Sequence, residues 1–156
     1  MEIVSISHIK KELNNLPLKE IQEVVIRLAK YKKENKELLS YLLFDAWNEN
    51  EYKKQVKEEI DFEFLSLNRS SFYLAKKTIR KVLRTTKKYI RFSDKKETEV
   101  ELLLYFCMKL KDSRLNYKSS RVIFNLYINQ VKRIQKVIGM LHEDLQYDYR
   151  EQLEAL

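Results

Sequence analysis

The chain has almost none of the residues that shape tight turns and strained loops. Its 156 residues include one glycine, Gly139, and one proline, Pro17. Hairpin turns, bulges and phosphate-cradling loops depend on glycine, because only glycine enters positive φ without a steric penalty. The scarcity therefore disfavours β-sheets and leaves no glycine-rich phosphate-binding loop. We predict an all-α protein.

Cysteine is equally scarce. The lone Cys107 rules out an internal disulfide, and one cysteine with two scattered histidines, His8 and His142, cannot form a Cys/His zinc site. Cys107 falls among apolar residues at helical spacing, where we expect burial to raise the pKa of its thiol. We expect a reducing, cytoplasmic setting and no cofactor.

Long apolar runs are also missing. The longest uncharged stretches, such as residues 122–131, contain Asn and Gln, and they fall short of the roughly 20 apolar residues that a membrane span requires. The first residues include acidic Glu2 and form neither a basic leader nor an apolar segment of signal-peptide length. We therefore expect a soluble protein without membrane insertion or a cleaved leader.

The apolar residues that are present recur at helical spacing. One clear stripe consists of Leu18, Ile21, Val24, Val25, Leu28 and Ala29. Polar residues that favour helix starts lie between the apolar stripes. The candidate N-caps are Asn35, Asn48, Ser70 or Ser71, Ser93 or Asp94, and Ser119 or Ser120. At Gly139 the last stripe either breaks or continues, and the pattern fits both.

Boundaries near Pro17, Asn48 and Asp94 group consecutive helices into hairpins: helices two with three, four with five, and six with seven. We predict six to eight antiparallel helices in a single all-helical domain, residues 1–156. They form either stacked hairpins, as in an α-α superhelix or HEAT-like array, or an irregular helical bundle. No family signature accompanies the pattern.

No catalytic motif is present. Three carboxylate pairs have helical i,i+4 spacing, and His142 precedes two acids; the pairs are Asp45 with Glu49, Glu59 with Glu63, and Glu97 with Glu101. Such pairs bind metal or transfer protons only when several converge, and in a chain this rich in charge they are more typical of solvated helix faces. We predict that the protein is not an enzyme and binds no metal; a carboxylate-based metal or acid–base enzyme is the third interpretation.

Positive charge, by contrast, is concentrated in one segment. Residues 64–93 contain nine Lys or Arg and no Asp or Glu, whereas the rest of the chain has 22 basic and 23 acidic residues. On a helix, eight of these cations fall within a sector of about 140° and the apolar residues lie opposite. The outward members form the predicted binding site, which we call the basic stripe: Lys77, Arg80, Arg84, Lys87, Lys88 and Arg91.

The basic stripe has four interpretations. It pairs internally with the acidic segment 45–63 or is simply solvated, binds an acidic protein surface, binds the phosphate backbone of nucleic acid, or meets an anionic membrane. The membrane is the weakest, because insertion requires the apolar face that the core needs. Phe72, Tyr73 and Tyr89 fall on the apolar side, so base stacking by this helix is not expected.

We therefore predict a non-catalytic interaction or scaffold module that presents the basic helix surface to an acidic partner. The alternative is a nucleic-acid-associated protein that binds the phosphate backbone with little sequence specificity. A homodimer through the C-terminal helix is a further prediction, because that segment is amphipathic. Its apolar residues are Tyr147, Tyr149, Leu153 and Leu156.

Overall fold

A computed structural model describes all 156 residues and contains eight α-helices and no strand, which confirms the all-α prediction. The helices are α1 (Ile6–Asn15), α2 (Leu18–Tyr31), α3 (Lys33–Ser40), α4 (Glu49–Leu65), α5 (Phe72–Ser93), α6 (Lys96–Asp112), α7 (Arg121–Ile138) and α8 (Glu143–Glu154). A π-helical turn, Tyr41–Asp45, follows α3, and a 3₁₀ turn, Tyr117–Ser119, precedes α7. None of the helices combines the length and apolar character needed to cross a bilayer.

Three of the predicted caps are confirmed. The Asn48 side chain accepts a hydrogen bond from the backbone amide of Glu51 at the start of α4. Ser71 and Ser120 do the same for α5 and α7. Each cap satisfies an amide that the first helical turn leaves without an intrahelical partner.

Two other predicted caps are wrong. Asn35 lies inside α3, where its side-chain amide donates to the carbonyl oxygen of Leu28 over 2.8 Å, and the residue before the helix is Lys32. Asp94 ends α5 in the left-handed conformation, with φ 54°, instead of starting α6. Short polar side chains tolerate both helix ends and left-handed geometry, so residue type does not separate these roles.

The helical structure is interrupted at Gly139. Helix α7 ends at Ile138, and α8 begins at Glu143 with His142 as its N-cap. The His142 Nδ1 atom accepts from the backbone amide of Asp144 over 3.4 Å. The sequence pattern allowed either one long helix or a break at Gly139, and the structure has two separate helices.

The chain divides into two compact units, Met1–Phe44 and Asp45–Leu156; a single domain spanning both stays a prediction. In the second unit the predicted partners α4 with α5 and α6 with α7 pack together, and α6 also packs on α4, α5 and α8. Leu102, Leu103 and Phe106 of α6 are almost completely buried. The second unit is therefore a bundle organised around α6.

In the first unit α2 packs against α3, as the hairpin prediction requires. Tyr41 is the only buried residue of this unit, and most large apolar side chains of α1 and α2 are exposed. The unit therefore lacks the apolar interior that α6 gives to the second unit.

Candidate polyanion-binding surface

Helix α5 is two-sided, as its sequence predicts. Its inner face is buried: Ala75, Ile79, Val82, Leu83, Thr86 and Ile90. All members of the basic stripe lie on α5, and all are exposed except Lys88, which is half-buried. Because the inner face packs on α4 and α6, the stripe points away from the bundle.

The helix is held firmly in place. The Tyr52 hydroxyl of α4 donates to the carbonyl oxygen of Tyr89 over 2.9 Å, and the ring of Tyr52 meets that of Tyr89 edge-on. Ile79 and Val82 are fully buried. At 1.5 Å per residue, the stripe extends about 21 Å from Lys77 to Arg91. The cations therefore form a row on a helix whose opposite face is packed against the bundle.

Three cations of the stripe are free of internal partners. The side chains of Arg80, Arg84 and Lys87 are exposed and make no ion pair or hydrogen bond within the chain. Two others lie beside aromatic rings: Lys77 Nζ is 4.5 Å from the ring centre of Tyr73, and Lys88 Nζ is 4.7 Å from that of Tyr89. The centre of the stripe is thus available to an external anion.

Internal pairing with the acidic helix α4 occurs at one edge of α5. Glu63 Oε1 lies 3.2 Å from Lys81 Nζ and accepts from the Thr85 hydroxyl. Lys81 lies beside the stripe and is not a member of it. This pair accounts for the compatibility of the two helices and leaves Arg80, Arg84 and Lys87 without an internal partner.

Other acids of α4 are directed to α6 and to the loop before it. Glu49 is 2.9 Å from Lys95 Nζ and accepts from the Thr98 hydroxyl. Asp61 lies 2.9 Å from Lys109 Nζ, and it accepts from Tyr105, whose pKa is raised to about 12 by burial and by this carboxylate. Glu49 also accepts from the Ser93 hydroxyl at the end of α5, so it contacts both α5 and the start of α6, whereas Asp61 is directed to α6.

The apolar side chains in the first turn of α5 are less buried than the sequence predicts. The side chains of Phe72, Tyr73 and Leu74 are exposed, with Tyr73 at 60%. Only the later turns of the apolar face are covered by neighbouring helices, which periodicity alone does not show. An exposed aromatic ring therefore lies next to Lys76 and Lys77 at one end of the stripe, contrary to the expectation that the aromatic residues stay on the buried side.

The three carboxylate pairs do not converge on one site. Glu49 faces Lys95, Glu63 faces Lys81 and Glu101 faces Lys53, so each has its own cation. No group of three or more His, Cys, Asp or Glu side chains is arranged to hold a metal ion. Glu49, Glu63 and Glu101 therefore act as separate links between helices.

A groove of about 630 Å³ lies between α6 and α8 and includes Glu97, Glu101, Tyr105 and Tyr149. The Tyr149 hydroxyl lies 3.0 Å from a carboxylate oxygen of each glutamate. Burial, the charge and hydrogen bond of Glu101, and the contact with Glu97 raise the pKa of Tyr149 far above its usual value. The hydroxyl of Tyr149 therefore links α8 to two carboxylates of α6 across this groove.

His142 and Cys107 behave as expected. His142 is exposed and caps α8. Burial raises the pKa of Cys107 to about 12, so its thiol stays protonated near neutral pH and packs as a small apolar group.

Part of the predicted dimer face on α8 is used inside the chain. Tyr149 is buried, Leu153 and Leu156 are half-buried, and Tyr147 remains 72% exposed. Helix α8 packs on α6 and α7 through this side. Dimerisation through α8 stays a prediction, but little of its apolar surface is left to support it.

Comparison of the chain with protein-family models, with curated proteins and with solved structures gives no match.

Proposed function

We propose that this protein is a non-catalytic helical interaction module that binds an acidic surface of a partner protein through the basic stripe of α5. The observation that carries the proposal is the exposure of Arg80, Arg84 and Lys87 and their lack of partners within the chain. They are exposed, lie on a helix whose opposite face is buried, and have no internal partner. Arginine is well suited to the role, because its planar guanidinium binds a carboxylate through two parallel hydrogen bonds.

The concentration of charge itself favours an external anion. Like charges at i,i+4, such as Arg80 with Arg84 and Arg84 with Lys88, cost a few tenths of a kcal/mol per pair. Acidic groups of a partner would offset this repulsion and would also accelerate association by long-range attraction. The same contacts weaken as salt rises, because exposed charges are screened.

The second candidate is binding to the phosphate backbone of single-stranded nucleic acid. Tyr73 favours it, because an exposed ring beside Lys76 and Lys77 can stack on a base while the lysines contact phosphates. The contacts of the stripe would then be largely independent of sequence. Lys77, Arg80, Arg84, Lys87, Lys88 and Arg91 are the residues assigned to either partner.

The test compares two triple variants with the unchanged protein. Arg80→Glu/Arg84→Glu/Lys87→Glu reverses the free cations of the stripe. Its control, Arg121→Glu/Lys132→Glu/Lys136→Glu, makes the same change in charge at exposed positions of α7. Binding of a labelled Asp/Glu-rich peptide, a single-stranded RNA and a DNA duplex is followed by fluorescence anisotropy over ~50–200 mM salt.

We expect the acidic peptide to bind the unchanged protein and the α7 control equally, and to bind the α5 variant at least tenfold more weakly. Preferential binding of RNA, with further loss in Tyr73→Ala, would favour the second candidate. Equal loss in both triple variants would show that net charge alone drives binding, and the stripe would then have no special role. Absence of binding by every probe near physiological salt would leave the stripe a solvated face and contradict the proposal.

A further inference from the structure

Helix α2 leaves a line of apolar side chains uncovered. At 100° per residue, Ile21, Val24, Leu28 and Tyr31 lie within a sector of about 80°. Leu28 is 56% exposed and Tyr31 is 79% exposed in the complete chain. A helix with this pattern normally buries such a face, so the line indicates a contact that a single copy of the chain does not make.

Helix α3 covers a different side of α2. Ala29 and Leu39 are half-buried, and both line a depression of about 570 Å³ between α2 and α3, together with Ile26. The Asn35 side chain fixes the start of α3 to the carbonyl oxygen of Leu28. Because α3 occupies this side, the neighbouring line from Ile21 to Tyr31 stays open.

The uncovered surface is large for so small a unit. With Leu18 and Val25, the line comprises six neighbouring apolar side chains, and all except the half-buried Ile21 are exposed; contiguous apolar surface of this kind is typical of interaction sites. A dimer of standard size buries about 800 Å² on each partner. The first unit also has one buried residue, Tyr41, and units of about this size usually need oligomerisation or another staple to be stable.

The charges that border the line point to a second copy of the same chain. Glu20 and Arg27 are exposed, have no partner within the chain and lie seven residues apart, which places them on the same edge of α2 within about 20°. When two identical helices pack antiparallel, the same edge of each meets that of the other. Glu20 of one copy then lies beside Arg27 of the second, and the two-fold axis repeats the pair.

We infer that the protein forms a homodimer in which the α2 helices of two copies pack antiparallel through Leu18, Ile21, Val24, Val25 and Leu28, which are centred on the midpoint between Glu20 and Arg27. Two Glu20–Arg27 pairs, one at each end, set the direction of packing. The site is distinct from the basic stripe of α5, so each dimer presents two stripes to its partners.

The test measures the association of the full-length chain by sedimentation equilibrium. The unchanged protein is expected to form a concentration-dependent dimer, and Leu28→Glu to weaken it by at least ~100-fold, because a charge would be buried in the contact. Glu20→Arg and Arg27→Glu should each weaken it about tenfold by placing like charges together. An equimolar mixture of these two variants should recover the original affinity as a heterodimer, in which every pair is again opposite.

Several results would overturn the inference. The unchanged protein could stay monomeric at millimolar concentration, or Leu28→Glu could leave the dimer intact. A mixture of Glu20→Arg and Arg27→Glu that associates no better than either variant alone would have the same meaning. Binding of a monomer to anionic lipid vesicles through Leu28 would assign the face to a membrane surface instead. Far-UV circular dichroism of each variant checks the fold, and Arg80→Glu/Arg84→Glu/Lys87→Glu should dimerise normally, which separates this inference from the proposed function.

Discussion

A short charged contact between helices joins Lys53 of α4 to Glu101 of α6. The Lys53 Nζ atom lies 2.5 Å from Glu101 Oε1, and Lys53 is only 8% exposed. Burial by itself would raise the pKa of Glu101, but the hydrogen bond and charge of Lys53, the Tyr149 hydroxyl and the charge of Lys57 outweigh it. The pKa of Glu101 therefore lies below its usual value of 4.5.

This shift determines how the pair contributes to stability as pH changes. Because the pKa of Glu101 is lower in the folded state, the stabilisation is complete above the unfolded value of 4.5 and is lost as pH falls through the folded value. Glu101→Gln removes the carboxylate and leaves Lys53 buried without its charge partner. We expect this variant to lower the free energy of unfolding at pH 7 by about 2–4 kcal/mol, measured by urea denaturation.

The difference in the free energy of unfolding between Glu101→Gln and the unchanged protein should narrow below about pH 4, because Glu101 takes up a proton in the unchanged protein. Glu97→Gln is the matched control, because Glu97 also accepts from Tyr149 but is exposed. Its effect should stay below about 1 kcal/mol. A difference between Glu101→Gln and the unchanged protein that is the same at pH 3 and pH 7 would contradict the assignment of the pKa shift to Glu101.

At the scale of the element, repulsion between like charges offsets part of the stability that α5 gains from its buried face. Arg84 has cations at each helical neighbour position, namely Arg80, Lys81, Lys87 and Lys88. The apolar face, with Ile79 and Val82 fully buried, outweighs this repulsion, since burying one such side chain contributes about 1.5–3 kcal/mol. The helix therefore forms in spite of its charge pattern.

Arg84→Glu should consequently stabilise the protein while weakening its binding to an acidic partner. The change turns like-charge pairs into opposite-charge pairs and keeps a residue of similar helix propensity, so we expect a gain of about 0.5–1 kcal/mol at low salt. Arg84→Gln, which only removes the charge, should give about half of this gain. Thermal unfolding at low and high salt measures both, and a less stable Arg84→Glu variant would show that Arg84 has an internal role.

At the scale of the whole molecule, the two units differ in how much they bury. Every buried apolar residue except Tyr41 belongs to residues 45–156, and α6 alone places Val100, Leu102, Phe106 and Leu110 in the interior. The first unit has amphipathic helices without a comparable interior. Folding stability is therefore concentrated in the second unit, and the exposed apolar face of α2 belongs to the first.

A fragment of residues 45–156 should accordingly fold by itself and remain monomeric. We expect a cooperative thermal transition by circular dichroism and a monomer mass by light scattering, because the fragment keeps the bundle around α6 and lacks α2. It should also bind the acidic peptide as the full chain does. A gradual transition would mean that the bundle depends on the first unit, and a dimer would move the self-association surface away from α2.

Much of the architecture follows from residues that act locally. The scarcity of glycine and proline, helical spacing such as that from Leu18 to Ala29, and short polar caps such as Asn48 and Ser71 decide helices and their starts within a few residues. The charge on the outer side of α5 is local too, since helical geometry alone places eight cations, six of which form the basic stripe, within a sector of about 140°. These features were therefore predictable from the sequence.

Contacts between distant residues decided the rest. Periodicity identifies the apolar face of each helix but not which part of it a neighbour covers, so Tyr73 and Leu28 are exposed while Tyr149 is buried. It also shows neither that Glu49 is directed to Lys95 nor that Glu101 holds the buried Lys53. Sequence by itself determined where the charge and apolar stripes lie; packing determined which of them are left to meet another molecule, because burial depends on helices far apart along the chain.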